Sequence, residues 1–236
     1  MKTLFVTLLF SAHTYVYGSQ QYGEPEEIPE AGHIRIDGKL SEWRNIDWTP
    51  LPEIIDGNPA ITKAEWAIRW NDDPALFIAV RYVDPEFVLK NGYAGTHAQD
   101  CVEIFVRADT GSSPEKYAAT QSSAQNYIFG LAPDKKTVWK KLAGADRFPQ
   151  HNPATAAITV DGDTINYEIM VPLYDRFDSQ NRRRVSKSEP VVEMEIGVDI
   201  LIIDAGTNGY RGTVAENLMD DKRNNAGHIA VHTLAE

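Results

Sequence analysis

Asp100-Cys-Val-Glu-Ile-Phe-Val106 is the stretch that decides the fold. Side chains on a strand alternate between faces, so Val102, Ile104 and Val106 point one way while Cys101, Glu103, Phe105 and Arg107 point the other. An acid fixed on a rigid strand among apolar neighbours requires a partner or a ligand. Glu103 is therefore the first candidate binding residue. Its structural alternative is an ion pair, with Arg107 two residues along the same face or with Arg81 across the sheet.

Outward from this strand the chain is strand after strand. Ala64, Trp66, Ile68 and Trp70 alternate with Glu65, Ala67 and Arg69, and Leu76, Ile78, Val80 and Tyr82 alternate with Phe77, Ala79 and Arg81. Asn71-Asp-Asp-Pro74 between them is turn chemistry, so the two runs form a hairpin. Ile158 and Val160 lead into Asp161-Gly162-Asp163, and Ile165, Tyr167 and Ile169 leave it as a second hairpin. Met194, Ile196, Val198, Ile200 and Ile202 mark a long strand, and Gly227 to Thr233 reads as the last one. Helical pattern is confined to single turns near Leu40 to Asn45 and Leu173 to Phe177. The pattern predicts one domain from His33 to Glu236, an all-β, immunoglobulin-like antiparallel β-sandwich.

Ahead of it, residues 1–18 read as an export signal, with Lys2, the apolar run Leu4 to Phe10 and Gly18 before Ser19. The alternative is a buried N-terminal strand. Residues 19–32, rich in Gln, Glu and Pro, read as a flexible linker or an extended leader to the first strand. The expected location is secreted or periplasmic. No apolar run approaches the roughly 20 residues of a membrane helix, so no membrane insertion is expected. Without residues 1–18, 22 basic residues face 34 acidic ones. That balance disfavours nucleic acid and anionic surfaces and points to a neutral partner. Cys101 is the single cysteine, which excludes an intramolecular disulfide.

Several motifs, in order, resemble carbohydrate-binding module family 9 and its relatives, which share an immunoglobulin-like sandwich with DOMON domains. They are Ile36-Asp-Gly-Lys-Leu-Ser-Glu-Trp43, Trp70-Asn-Asp-Asp-Pro-Ala-Leu-Phe-Ile-Ala-Val80, the Asp100 to Val106 strand, Tyr167-Glu-Ile-Met-Val-Pro172, Gly197-Val-Asp-Ile-Leu-Ile-Ile-Asp204 and Ala226-Gly-His-Ile-Ala-Val231. The resemblance implies a sugar held between two tryptophans, aided by a glutamate that Glu103 matches and a glutamine that Gln125 matches. It also marks departures. His97 stands where one sandwiching tryptophan is expected, Ala215 near the place of the other, and Tyr127 near that of an arginine.

A sugar site needs an apolar surface for the C–H face of a pyranose and a carboxylate or amide to bridge hydroxyls. Glu103, His97, Gln125, Tyr127 and Tyr93 are the residues expected to line it, with a neutral saccharide as ligand. Trp43, Trp66 and Trp70 read as packing residues, whereas Trp48 and Trp139 stand in more polar surroundings and qualify as platforms. Calcium is a candidate cofactor, with oxygen donors clustered at Asn71 to Asp73, Asp161 with Asp163, and Asp220 with Asp221. His228 and His232, four apart on the expected last strand, would share a face as a weak zinc pair. An alternative from the same superfamily is b-type haem for electron transfer, held by Met170, Met194 or Met219 with His97 or His228. A third is an adaptor that contacts a partner enzyme or another secreted protein. No hydrolase, zinc-protease, phosphate-loop or dinucleotide motif is present. Asp100 and Glu103 point to opposite faces and do not form a glycosidase pair.

Overall fold

The computed structural model describes residues 26–95, 98–110, 117, 120–217 and 220–236. Its strands are β1 (Glu26–Ile28), β2 (Thr49–Pro50), β3 (Glu53–Gly57), β4 (Thr62–Asn71), β5 (Ala75–Val83), β6 (Cys101–Arg107), β7 (Thr120–Ser122) and β8 (Ala124–Leu131). They continue as β9 (Val138–Leu142), β10 (Thr155–Asp161), β11 (Thr164–Pro172), β12 (Tyr174–Asp178), β13 (Ser186–Lys187), β14 (Glu195–Gly206), β15 (Gly209–Ala215) and β16 (Val231–Leu234). An eight-stranded sheet runs β1-β16-β14-β6-β8-β9, with β15 joined to β14 and then to β3. A five-stranded sheet runs β10-β11-β5-β4-β2, and a small third sheet runs β13-β12-β7.

Both expected hairpins form. Asn71 pairs with Ala75 across the first, and Asp161 with Thr164 across the second, where Gly162 takes a φ of 59° that favours glycine. The two large sheets pack face to face. Val102, Ile104, Val106, Val198, Ile200 and Ile202 from one meet Trp66, Leu76, Ile78, Val80, Tyr167 and Ile169 from the other. Trp43 covers the small residues Ala67 and Ala79 on the outside of the five-stranded sheet. Its Nε1 donates to Glu168 Oε1 at 3.0 Å, and Asp37 N and Gly38 N donate to Oε2 of the same buried carboxylate. This hub explains why the Ile36 to Trp43 motif and the Tyr167 to Pro172 motif occur together.

Four expectations change. Among the described residues the fold begins at Glu26, ahead of His33, because β1 pairs with β16 in parallel and buries Ile28 within the stretch expected as linker. The Leu173 to Phe177 region is the strand β12, paired with Lys187 and Ser122. The last strand starts at Val231, since Ala226–His228 is a 3-10 turn capped by Asn225. Leu40 to Asn45 forms turns without a helix.

Candidate functional site

β6 is central in the large sheet, between β14 and β8, and all seven of its residues are buried. Its second face, carrying Cys101, Glu103, Phe105 and Arg107, turns away from the sandwich core. Strand register adds Leu201, Ile203 and Ala215 on one side and Ile128, Asn126 and Gly130 on the other. Trp139 on β9 lies directly on Gly130, where a Cβ would stand 2.1 Å from the indole ring. Tyr117 packs on Phe105, with centroids 5.4 Å apart, and closes part of this face.

Glu103 is 1% exposed. Arg223 Nε, on the 3-10 turn Asp220–Arg223, donates to its Oε2 at 3.0 Å. The expected partners are engaged elsewhere: Arg81 pairs with Glu65, and Arg107 donates to the carbonyls of Ala226 and Thr110. Glu103 Oε1 and Arg223 Nη2 are both buried without a hydrogen-bond partner among the described residues. The same holds for Asn126 Oδ1, Trp139 Nε1 and the Tyr117 hydroxyl, all on this face. Natural proteins rarely leave buried polar atoms unpaired, and here five gather on one side of one sheet. Burial pushes the Tyr117 phenol and the Cys101 thiol well above their ordinary values, so both stay protonated.

The sequence-expected lining residues separate. Tyr93, 41% exposed, joins this face, with its ring 5.9 Å from that of Trp139 and Lys141 Nζ 6.0 Å above it. Gln125 and Tyr127 do not. They pair with Val106 and Ile104, so strand alternation sends both into the sandwich core, the opposite side from Glu103. There Gln125 Nε2 donates to Ser122 O at 2.9 Å and the Tyr127 hydroxyl accepts from Asn152 Nδ2 at 3.0 Å. His97 lies outside the described residues. Sequence reasoning missed Arg223 and Asn126. Asn126 had a signal, being one register step from Gln125 on the Glu103 face, while Arg223 sits 120 residues from Glu103 in an aperiodic segment.

The candidate metal and haem ligands also fall apart. Met170 lies on β11 of the five-stranded sheet, Met194 packs against the main core, and His228 binds Asp221. Met219 lies outside the described residues. His228 sits on a turn and His232 on β16, bonded to Val198 O, so the two are no zinc pair. The turn acids are scattered: Asp73 pairs with Lys187, and Asp161 and Asp163 stand exposed on a hairpin. The structure gathers three other acids instead. Asp84, Asp100 and Asp204, all at most 1% exposed, each bring a carboxylate oxygen within 4.8 Å of the others. Hard oxygen donors in that density suit a calcium-type cation.

Comparison with known proteins follows the same lines. No curated protein matches the sequence significantly. Two solved structures of a family 9 carbohydrate-binding module from Caldicellulosiruptor kristjanssonii are similar in fold. The complex with cellotriose is 16% identical with a TM-score of 0.67, covering 89% of this chain and 93% of that one. The complex with glucose is 18% identical with a TM-score of 0.66, covering 89% and 95%. The family model described as carbohydrate family 9 binding domain-like matches residues 36–226. With that match across most of its length, the chain belongs to the carbohydrate family 9 binding domain-like family.

Proposed function

We propose that this protein binds a neutral saccharide, without catalysis, on the outer face of the large sheet. The observation that carries the reading is the Glu103–Arg223 pair, in which each partner keeps one buried, unpaired hydrogen-bonding atom on the sheet face where the largely buried Trp139 packs against the exposed Tyr93. Arg223 retains 27% side-chain exposure, so the guanidinium is the outer contact and the carboxylate the inner one. Neighbouring sugar hydroxyls both donate and accept, and they match a carboxylate oxygen beside a guanidinium N–H. Tyr93 and Trp139, tilted by 57°, supply the apolar surface in place of a tryptophan sandwich. The related module's binding of cellotriose and glucose supports this ligand class. The leader-like residues 1–18 support an exported protein, where free saccharide is met.

Calorimetric titration with glucose and with cello- and xylo-oligosaccharides tests the reading, with Glu103→Gln and Arg223→Ala as controls. Binding in the wild type that falls at least about tenfold in either variant is the expected result, since a charge-assisted hydrogen bond contributes roughly 1.5–3 kcal/mol. Absence of heat from every sugar sinks the proposal and leaves the adaptor role.

A further inference from the structure

Beyond the short strand β2, one edge of the five-stranded sheet is left without a neighbour. β2 covers β4 only at Glu65 and Trp66. The next bonds on that edge join Trp70 N to Pro29 O at 3.2 Å and Ala31 N to Trp70 O at 2.6 Å. Both main-chain groups of Trp70 point to this edge, so strand alternation sends those of Ile68 the same way, and nothing among the described residues bonds them there. Opposite stands the edge of the large sheet, where Glu26 on β1 pairs with His232 on β16. A cavity of about 460 Å³ occupies the mouth between the two edges, within the size range of small-molecule sites.

The inner wall of this cavity carries two polar atoms that the fold leaves unpaired. His232 and Trp66, 2% and 1% exposed, both line it and meet edge to face with ring centroids 6.1 Å apart. His232 Nε2 faces Val198 O at 3.2 Å and so carries the proton, which makes Nδ1 an acceptor. Burial lowers the pKa of this ring against the fields of Glu26 and Asp199, so it stays neutral. Nδ1 and the Trp66 Nε1 donor are buried without partners among the described residues. Hydroxyls answer both, donating to the first and accepting from the second. The rim is charged: the exposed Glu26, Glu27 and Asp47 share it with one guanidinium, Arg69. Three carboxylates to one basic group favour a cation. Pro29, Ile46 and Ile68 add apolar wall between rim and floor.

We propose that this mouth is a second ligand site, for an amino sugar in its ammonium form. Ring hydroxyls reach His232, Trp66 and the Ile68 main chain, while the rim carboxylates hold the ammonium. An N-acetylated sugar lacks the charge, and a simple amino alcohol lacks the ring that fills the apolar wall. The cavity shares no lining residue with the Glu103 face, so the proposal stands apart from the neutral-saccharide reading.

The test follows the indole ¹H–¹⁵N resonances of Trp66 and Trp139 in the whole chain, assigned with Trp66→Phe and Trp139→Phe. Glucosamine, N-acetylglucosamine, glucose and ethanolamine are titrated at about pH 6, well below the range of an aliphatic amine. Glucosamine is expected to move Trp66 saturably and to bind at that site at least about tenfold more tightly than the other three. The variant Glu26→Gln with Asp47→Asn, changed only at exposed positions, is expected to keep the thermal midpoint and lose about tenfold in glucosamine affinity. If glucosamine leaves Trp66 unmoved, or moves Trp139 alone, the proposal falls. If glucose or N-acetylglucosamine moves Trp66 as readily, the ammonium is not recognised; if ethanolamine does, the sugar ring is not. Either result overturns the assignment, as does full affinity in the charge-neutralised variant.

Discussion

At the scale of single residues, Gly130 matters for what it lacks. Any side chain there collides with the Trp139 ring, whose nearest atom would be 2.1 Å from a Cβ. Gly130→Ala is therefore expected to lift Trp139 off the sheet, cost about 1–3 kcal/mol in urea unfolding, and weaken sugar binding about tenfold. Glu216, immediately after the end of β15, gives a pH signature. Burial first, then the charges of Asp199 and Glu26, push its carboxyl up to about 8. Between the ordinary glutamate range and that value the folded chain holds a proton that the unfolded chain releases. Its contribution to stability is thus complete at low pH and is lost as pH rises through about 8. Glu216→Gln is expected to raise the thermal midpoint by a few degrees at pH 8.5, with the difference closing toward about pH 5. Glu103 itself was legible in sequence, since period two fixes its face. The same rule applied to β8 would have excluded Gln125 and Tyr127 and chosen Asn126, but the register of β8 against β6 is set by long-range pairing that no local pattern shows.

Among elements, the segment between β15 and β16 does the most with the least regular structure. Lys222, fully buried, bonds Asp199 Oδ1 at 2.7 Å, and Asn217 Nδ2 holds the other oxygen at 2.7 Å. Arg107 Nη1 pins Ala226 O at 3.1 Å. These contacts seat the turn that delivers Arg223 to Glu103. Lys222→Met leaves Asp199 charged and enclosed, and is expected to cost about 3–5 kcal/mol in chemical denaturation. Adding Asp199→Asn should recover part of that loss, because the stranded charge is gone. The hairpins of β4 with β5 and β10 with β11 were readable because alternation and turn residues agree. β12 was not. Leu173 and Phe177 are four apart, as on a helix, yet the pairing of Tyr174 with Lys187 and Phe177 with Ser122 overrides that spacing.

For the molecule as a whole, the sandwich was legible from its many short alternating strands, and the proposed binding site was only half so. Glu168 accepting from Trp43, Asp37 and Gly38 shows that two of the recognisable motifs serve the scaffold. Arg223 and Tyr93, which complete the proposed site, arrive on aperiodic segments, where sequence carries charge and ring type without direction. One further property follows from β1. Ala235 N donates to Ile28 O at 2.8 Å, Trp70 Nε1 donates to Ala235 O at 2.8 Å, and Ala31 N donates to Trp70 O at 2.6 Å. Residues 28–31 and 235 therefore meet at one corner, fastened to the same indole-bearing residue. Because β1 and β16 run parallel, a circular permutant that joins residue 236 to residue 26 needs a glycine-serine bridge of about ten residues running back along the pair. Opened at the exposed Gly162 turn, it is expected to fold. Its far-ultraviolet dichroism and unfolding midpoint should stay close to those of the parent.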